Sequence, residues 1–285
     1  MFGVSPAFVV SMYGTGFTVD QFCDAMKVMK ELGYDGYQPE VFHKEQLLNW
    51  TNGGAARVNT TGNNCGLIPT QFVAHFLMES FSSPEKLFSD YGIEELQVVL
   101  EIAREFPACK TVVVPVGPFA LNHEETINME VGFYIRVKER LIEKMQNYLE
   151  VISNAQLKFA LEILPNSIVE GTDGFLRLCE ELDSPMFGLS LDTGHAWACR
   201  ELVPLLPLKL RNKILGLHIC DNNSDVNRSL APGRGTIDWK LFMHNLKLAG
   251  YKGSVDIEIV CPPEEIRTEY AFGKQYLQEI IEGNI

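Results

Sequence analysis

Two rhythms of apolar and polar positions alternate along this chain. Short runs rich in Val, Ile, Phe and Leu read as strands, and between them apolar residues recur at three and four, the helical period. Phe8 to Ser11 gives the first expected strand. Thr18-Val19-Asp20-Gln21 then opens a helix that carries Phe22, Met26, Met29 and Leu32 on one face and stops at Gly33. Tyr34 to Pro39 reads as strand two, with Glu40 and His43 after it. Lys44 to Gly66 has the length of a helix but contains Asn52-Gly53-Gly54 and Thr60-Thr61-Gly62-Asn63-Asn64, so two helical pieces are expected. Strand three, Thr70 to Ala74, ends at His75. A helix over Ile93 to Phe106 leads to strand four, Thr111 to Pro115, and a long helix over Glu130 to Asn154 follows.

The second half repeats more cleanly. Strand five is Lys158 to Ile163, followed by a helix over Asp173 to Leu182. Strand six is Phe187 to Leu191, and the irregular helix behind it is interrupted by Pro204 and Pro207. Strand seven is Leu215 to Ile219, with a long loop from Asp221 to Thr236. Asp238 caps a helix over Trp239 to Ala249, ended by Gly250. Strand eight is Val255 to Ile259, and the last helix covers Glu264 to Ile281. Eight strand–helix units without a break in composition predict α/β architecture: one (β/α)8 TIM barrel domain over residues 1–285. A doubly wound open sheet is the alternative.

Composition narrows the function classes. Of 285 residues, 46% are hydrophobic, enough for a large core, and 24 Lys and Arg face 37 Asp and Glu for a net charge of −13. That balance argues against a nucleic-acid partner, which needs clustered basic surface. The seven cysteines are scattered without a C-x-x-C pair, so reduced thiols are expected. Apolar runs are too short for a membrane span, and Ala7-Phe8-Val9-Val10 reads as a strand rather than as part of a leader. A soluble cytoplasmic protein is the expectation, with a homo-oligomer open.

Candidate chemistry lies where strands five to eight end. Glu162, Asp192, His218 and Glu258 sit near those carboxyl ends, 30, 26 and 40 residues apart, the spacing of one strand–helix unit or slightly more. Barrel sites gather at that end of the sheet. A lone strand-end acid is usually a cap or a surface charge; four in succession predict one divalent cation. Two Glu, one Asp and one His suit Mn²⁺, Co²⁺, Mg²⁺ or Zn²⁺. Open coordination positions would let two oxygens of a hydroxy-ketone bind, acidifying the neighbouring C–H for a carboxylate to remove.

Other candidates carry two readings each. His195, turned back by Asp192-Thr193-Gly194, reads as functional. His75 lines the pocket or is a satisfied core histidine. Trp197 and Tyr13 form an apolar wall against a sugar ring or belong to the core. Arg228 and Arg234 bind an oxyanion or are solvated loop cations. Cys220 assists the ligands or is a small buried residue. His43, His123 and His244 read as surface.

Leu161-Glu162, Leu191-Asp192-Thr193-Gly194-His195, His218-Ile219-Cys220-Asp221-Asn222-Asn223 and Asp256-Ile257-Glu258 resemble the sugar phosphate isomerase/epimerase family, the xylose isomerase-like barrels. So does Pro232-Gly233-Arg234-Gly235-Thr236-Ile237-Asp238-Trp239, like the loop before that family's penultimate helix. The resemblance implies Mn²⁺ as the first choice of metal on Glu162, Asp192, His218 and Glu258. It also implies Glu162 and Glu258 as the acid/base pair, and His195 on a substrate oxygen. It departs from the ketose 3-epimerases, which carry another Glu soon after the first ligand and a short His-to-Arg spacing. Here no acid follows Glu162 before Glu170, and Arg228 is ten residues after His218. Inosose dehydratases, hydroxypyruvate isomerases and enzymes of keto-glycosides remain open. The expected function is therefore a metal-dependent isomerase or epimerase of a small keto-sugar. A lyase or dehydratase on a keto-inositol or keto-glycoside is the alternative. A three-metal phosphodiesterase needs more His ligands, and a non-catalytic binding barrel would have lost ligands.

Overall fold

The computed structural model describes residues 1–121, 130 and 132–284. Eight parallel strands form the barrel: β1 Phe2–Val4, β2 in two pieces (Gly36–Tyr37 and Glu40–Val41) and β3 in two pieces (Ile68–Pro69 and Phe72–Ala74). They continue as β4 Thr111–Val116, β5 Lys158–Ile163, β6 Phe187–Asp192, β7 Ile214–Ile219 and β8 Val255–Ile257. Each neighbour in sequence pairs in parallel, and β8 returns to β1 through Phe2↔Val255 and Gly3↔Asp256. The breaks in β2 and β3 fall together. Gly36–Tyr37 pairs with Ile68–Pro69, Glu40–Val41 pairs with Phe72–Ala74, and the Thr70 and Val73 amides bridge the gap to the carbonyls of Tyr37 and Pro39, both at 2.9 Å. The ring therefore closes.

The first strand differs from expectation. Phe8 to Ser11 belongs to a helix, α1 (Ala7–Tyr13), while Phe2–Val4 is the strand. Helix and strand preferences are weak beside tertiary context. The gap between β8 and β2 takes Phe2–Val4, and Pro6, already in helical backbone (φ −56°, ψ −24°), starts the turn that follows. The remaining elements lie within a few residues of their expected bounds.

Thr18 and Gln21 form a reciprocal cap on α2 (Val19–Glu31), and α3 (Ala55–Cys65) follows a kink at Asn52 and Gly53. Further along lie α4 (Ile93–Ala103), α5 (Phe133–Asn154), α6 (Gly171–Leu182), α7 (Thr193–Ala198), α8 (Trp239–Leu248) and α9 (Ile266–Glu282). Asp238 caps α8 by accepting from the Leu241 amide at 3.0 Å. The core lies between these helices and the sheet. Inside the barrel it is smaller and carries polar groups: Val73, Val113 and Ala160 pack there, and Gln71 donates to Ser190 at 3.2 Å. Among the described residues no helix is long and apolar enough to cross a membrane.

Candidate metal centre and active site

Glu162, Asp192 and His218 stand on β5, β6 and β7, and Glu258 directly follows β8. Parallel strands in register bring them to one level: Asp192 pairs with His218, and His218 with Asp256. One donor atom from each lies within 4.8 Å of the others, as the spacing predicts.

His218 is at the centre of the cluster. Its Nδ1 is 2.6 Å from Glu162 Oε1 and 3.1 Å from Glu258 Oε2. Its Nε2 is 2.8 Å from Gln38 Oε1, while Gln38 Nε2 donates to Asp256 Oδ2, also at 2.8 Å. Since that amide nitrogen must donate to the carboxylate, Gln38 Oε1 is the acceptor and His218 Nε2 carries the hydrogen. Nδ1 is thereby the nitrogen turned to the carboxylates. Asp256 is fully buried and also accepts from Thr70 (2.9 Å) and Ser254 (2.8 Å).

Crowding of buried like charges governs the protonation. Burial and the Glu162 charge push Asp192 up, and burial followed by the Asp192 and Glu162 charges pushes Glu258 up. Burial also acts upward on Glu162, but the His218 charge and hydrogen bond outweigh it and pull that carboxyl down. Burial would lower His218, yet Glu162 and Glu258 hold it well above its usual value. Asp192 Oδ1 accepts from the His195 amide at 2.6 Å, whereas its buried Oδ2 has no hydrogen-bond partner. Three carboxylates, that of Asp192 with an orphaned oxygen, and one imidazole nitrogen gathered within 4.8 Å fit a divalent cation.

A cavity of about 160 Å³ opens on this cluster. Pro6 at the start of α1, with Ala7 and Val10 within it, forms part of its apolar wall; Glu162, His195, His218 and Glu258 form the polar side, with Glu40 and His75 also lining it. Asn227 Oδ1 accepts from the Ser229 amide at 2.9 Å, so its Nδ2 donates to His195 Nδ1 at 3.2 Å. Burial lowers the His195 pKa, so the ring is neutral with its hydrogen on Nε2. His75 is half-buried, with Nδ1 3.4 Å from Glu40 Oε1.

The other expected site residues lie elsewhere. Tyr13 and Trp197 are half-buried and pack on the core, and neither lines the cavity. Arg234 pairs with Glu269 at 3.1 and 3.2 Å and stacks 3.9 Å over Phe272; Arg228 is exposed. Cys220 is buried, 3.7 Å from Asp192 Oδ1 and outside the four-residue cluster. His43 and His244 are exposed, and His123 falls outside the described residues. Sequence reasoning did not reach Gln38, Asn227, Asp256 or Glu40 as parts of this site. A polar residue at every second position of a strand was the available signal for Gln38 with Glu40, and for Asp256 with Glu258.

Residues 26–279 match the family described as xylose isomerase-like TIM barrel. L-ribulose-5-phosphate 3-epimerase UlaE of Escherichia coli is 21% identical over 240 residues, covering 83% of this chain and 81% of that protein. Two solved structures share the fold. The 3-keto-D-glucoside 4-epimerase YcjR from E. coli is 16% identical with a TM-score of 0.74, covering 97% of this chain and 98% of that one. The probable 3-DHS dehydratase AsbF from Bacillus anthracis is 14% identical with a TM-score of 0.74 at the same coverage.

Proposed function

Because the chain belongs to the xylose isomerase-like TIM barrel family, we propose that it is a divalent-metal-dependent epimerase or isomerase of a small keto-sugar. The observation that carries the reading is the meeting of four donors from the ends of four successive barrel strands within 4.8 Å, three of them, Glu162, His218 and Glu258, on the wall of a cavity. A relative named as a sugar 3-epimerase accords with it. Glu162, Asp192, His218 and Glu258 would hold the metal, Mn²⁺ first among Mn²⁺, Co²⁺, Mg²⁺ and Zn²⁺. When bound, the metal polarises the substrate's carbonyl and so acidifies the adjacent C–H.

The chain's own groups do the rest. One of Glu162 and Glu258 takes the proton from the carbon beside the carbonyl. The other returns a proton to that carbon from the opposite face, or to its neighbour in an isomerisation. His195, neutral with Nε2–H available, donates to a substrate oxygen. Apolar residues of α1 exclude water from the reacting carbon.

Elemental analysis tests the reading. About one divalent metal per chain is expected in the wild type, and a much weakened content in Glu258→Gln. Keto-sugars incubated in D₂O should take up deuterium beside the carbonyl. Protein that binds no metal after chelator treatment and addition of Mn²⁺ would overturn it. A lyase remains the second reading, because the cavity holds an acidic residue beyond the metal cluster.

A further inference from the structure

A cavity of about 570 Å³ lies at the other end of the barrel and shares no residue with the one beside the metal centre. Val255, the first residue of β8, is in its wall, whereas Glu258 follows the far end of that strand. Its volume falls within the roughly 300–1,000 Å³ typical of small-molecule pockets. Its charge runs against that of the chain. Carboxylates outnumber Lys and Arg by 37 to 24, yet none of the eleven residues walling this cavity is acidic. Lys240, His244 and Lys247 recur at four and three along α8 and so share one face; Lys252 joins them from the loop before β8.

These lysines lack counter-charges. Lys27, Lys44, Lys86, Lys138 and Lys209 each pair with a carboxylate, but Lys240, Lys247 and Lys252 have no such partner among the described residues. Ammonium groups gathered without an anion repel one another, and a bound anion removes that cost. Beside the exposed lysines, Met243, Tyr251, Val255 and Ile280 give the cavity a half-buried, largely apolar surface. Tyr251 is pinned there: its hydroxyl donates to the Ser254 carbonyl at 2.9 Å, and a Cβ on Gly253 would lie 2.3 Å from that hydroxyl. With a net charge of −13 the molecule repels extended polyanions and anionic membranes, while a local positive patch is felt within about 8 Å at physiological salt. The complementary ligand is therefore small, anionic and partly apolar.

We propose that this cavity binds a small organic phosphate, with the phosphate held by Lys240, Lys247 and Lys252 and an aromatic or aliphatic body against Tyr251 and Met243. Lysine serves phosphate as a mobile point charge, so three of them on a helix and a loop can converge without the fixed fork that arginine brings. The site stands apart from the catalytic one and does not depend on the keto-sugar reading.

Calorimetric titration of the metal-loaded protein with 1-naphthyl phosphate, inorganic phosphate and 1-naphthol tests it. Naphthyl phosphate should bind once per chain with a Kd below about 1 mM, and the other two at least about 10-fold more weakly. Replacing the three exposed lysines together (Lys240→Gln, Lys247→Gln, Lys252→Gln) should weaken naphthyl phosphate about 10-fold or more. An unchanged unfolding midpoint and metal content certify that the variant is folded. No binding to the wild type, or equal affinity in the variant, would overturn the proposal, the latter by placing the ligand elsewhere. Inorganic phosphate bound as tightly as naphthyl phosphate would reduce the site to an adventitious ion only. Self-association of the wild type that disappears in the variant, with no ligand bound, would make this face a contact between copies of the chain instead.

Discussion

Gln38 shows how one residue sets the presentation of another. Its amide is polarised from behind by Asp256, and this fixes which nitrogen of His218 faces the carboxylates. Gly3 makes room for the arrangement, since a Cβ there would lie 2.0 Å from Asp256 Oδ1. Gln38→Ala should therefore weaken Mn²⁺ binding roughly 10- to 100-fold while leaving the fold intact. Titration of chelator-treated protein measures it, and unchanged affinity would remove Gln38 from the site. Glu162, Asp192 and His218 were legible in the sequence because each stands at or near the end of a long apolar run. Gln38 was not, because its meaning depends on β2 lying across the barrel mouth from β7. A single chain read in order does not display that neighbour relation.

The loop after β7 has its own organiser at the scale of elements. Asp221 is fully buried. Its Oδ1 accepts from the amides of Asn222 (2.9 Å) and Ile237 (3.1 Å), and its Oδ2 from the Gly233 amide and Trp239 Nε1, both at 2.9 Å. One carboxylate thus ties both ends of the loop to the start of α8. Asp221→Ala leaves buried donors without an acceptor and should cost about 3 kcal/mol. Urea unfolding checks it, and a loss below about 1 kcal/mol would mean that water replaces the carboxylate. The same loop brings Asn227 to His195, so elevated deuterium-exchange rates in residues 221–236 should accompany the variant's lower stability. α1 makes the opposite point about legibility. Ala7-Phe8-Val9-Val10 has the local character of a strand, and only the closure of β1 between β8 and β2 assigns it to a helix. That reassignment places Pro6, Ala7 and Val10 in the cavity wall.

On the scale of the whole barrel, strand ends and strand middles have different tasks. Catalytic groups gather at the carboxyl ends, while the layer beneath serves stability. Here that layer is polar, and Gly216 on β7 is closely packed within it. A Cβ there would come within 1.9 Å of Gln71 Oε1, and Gln71 reaches across to Ser190. Gly216 is two residues before His218 and faces the same side of the strand. The barrel count was legible because eight alternations of rhythm survive even where β2 and β3 break. The polar filling was not, since Gln71, Ser190 and Gly216 are ordinary residues until closure makes them neighbours. Gly216→Val must displace the Gln71 side chain and should destabilise the fold by about 2 kcal/mol, a typical cost of overpacking. Urea unfolding, with metal stoichiometry measured on the same preparation, separates the two layers. A lower unfolding midpoint with metal content still near one per chain means that the site rests on strand register alone. Loss of metal at unchanged stability would mean that the Gln71 layer sets the height of His218, and that packing beneath the site tunes it.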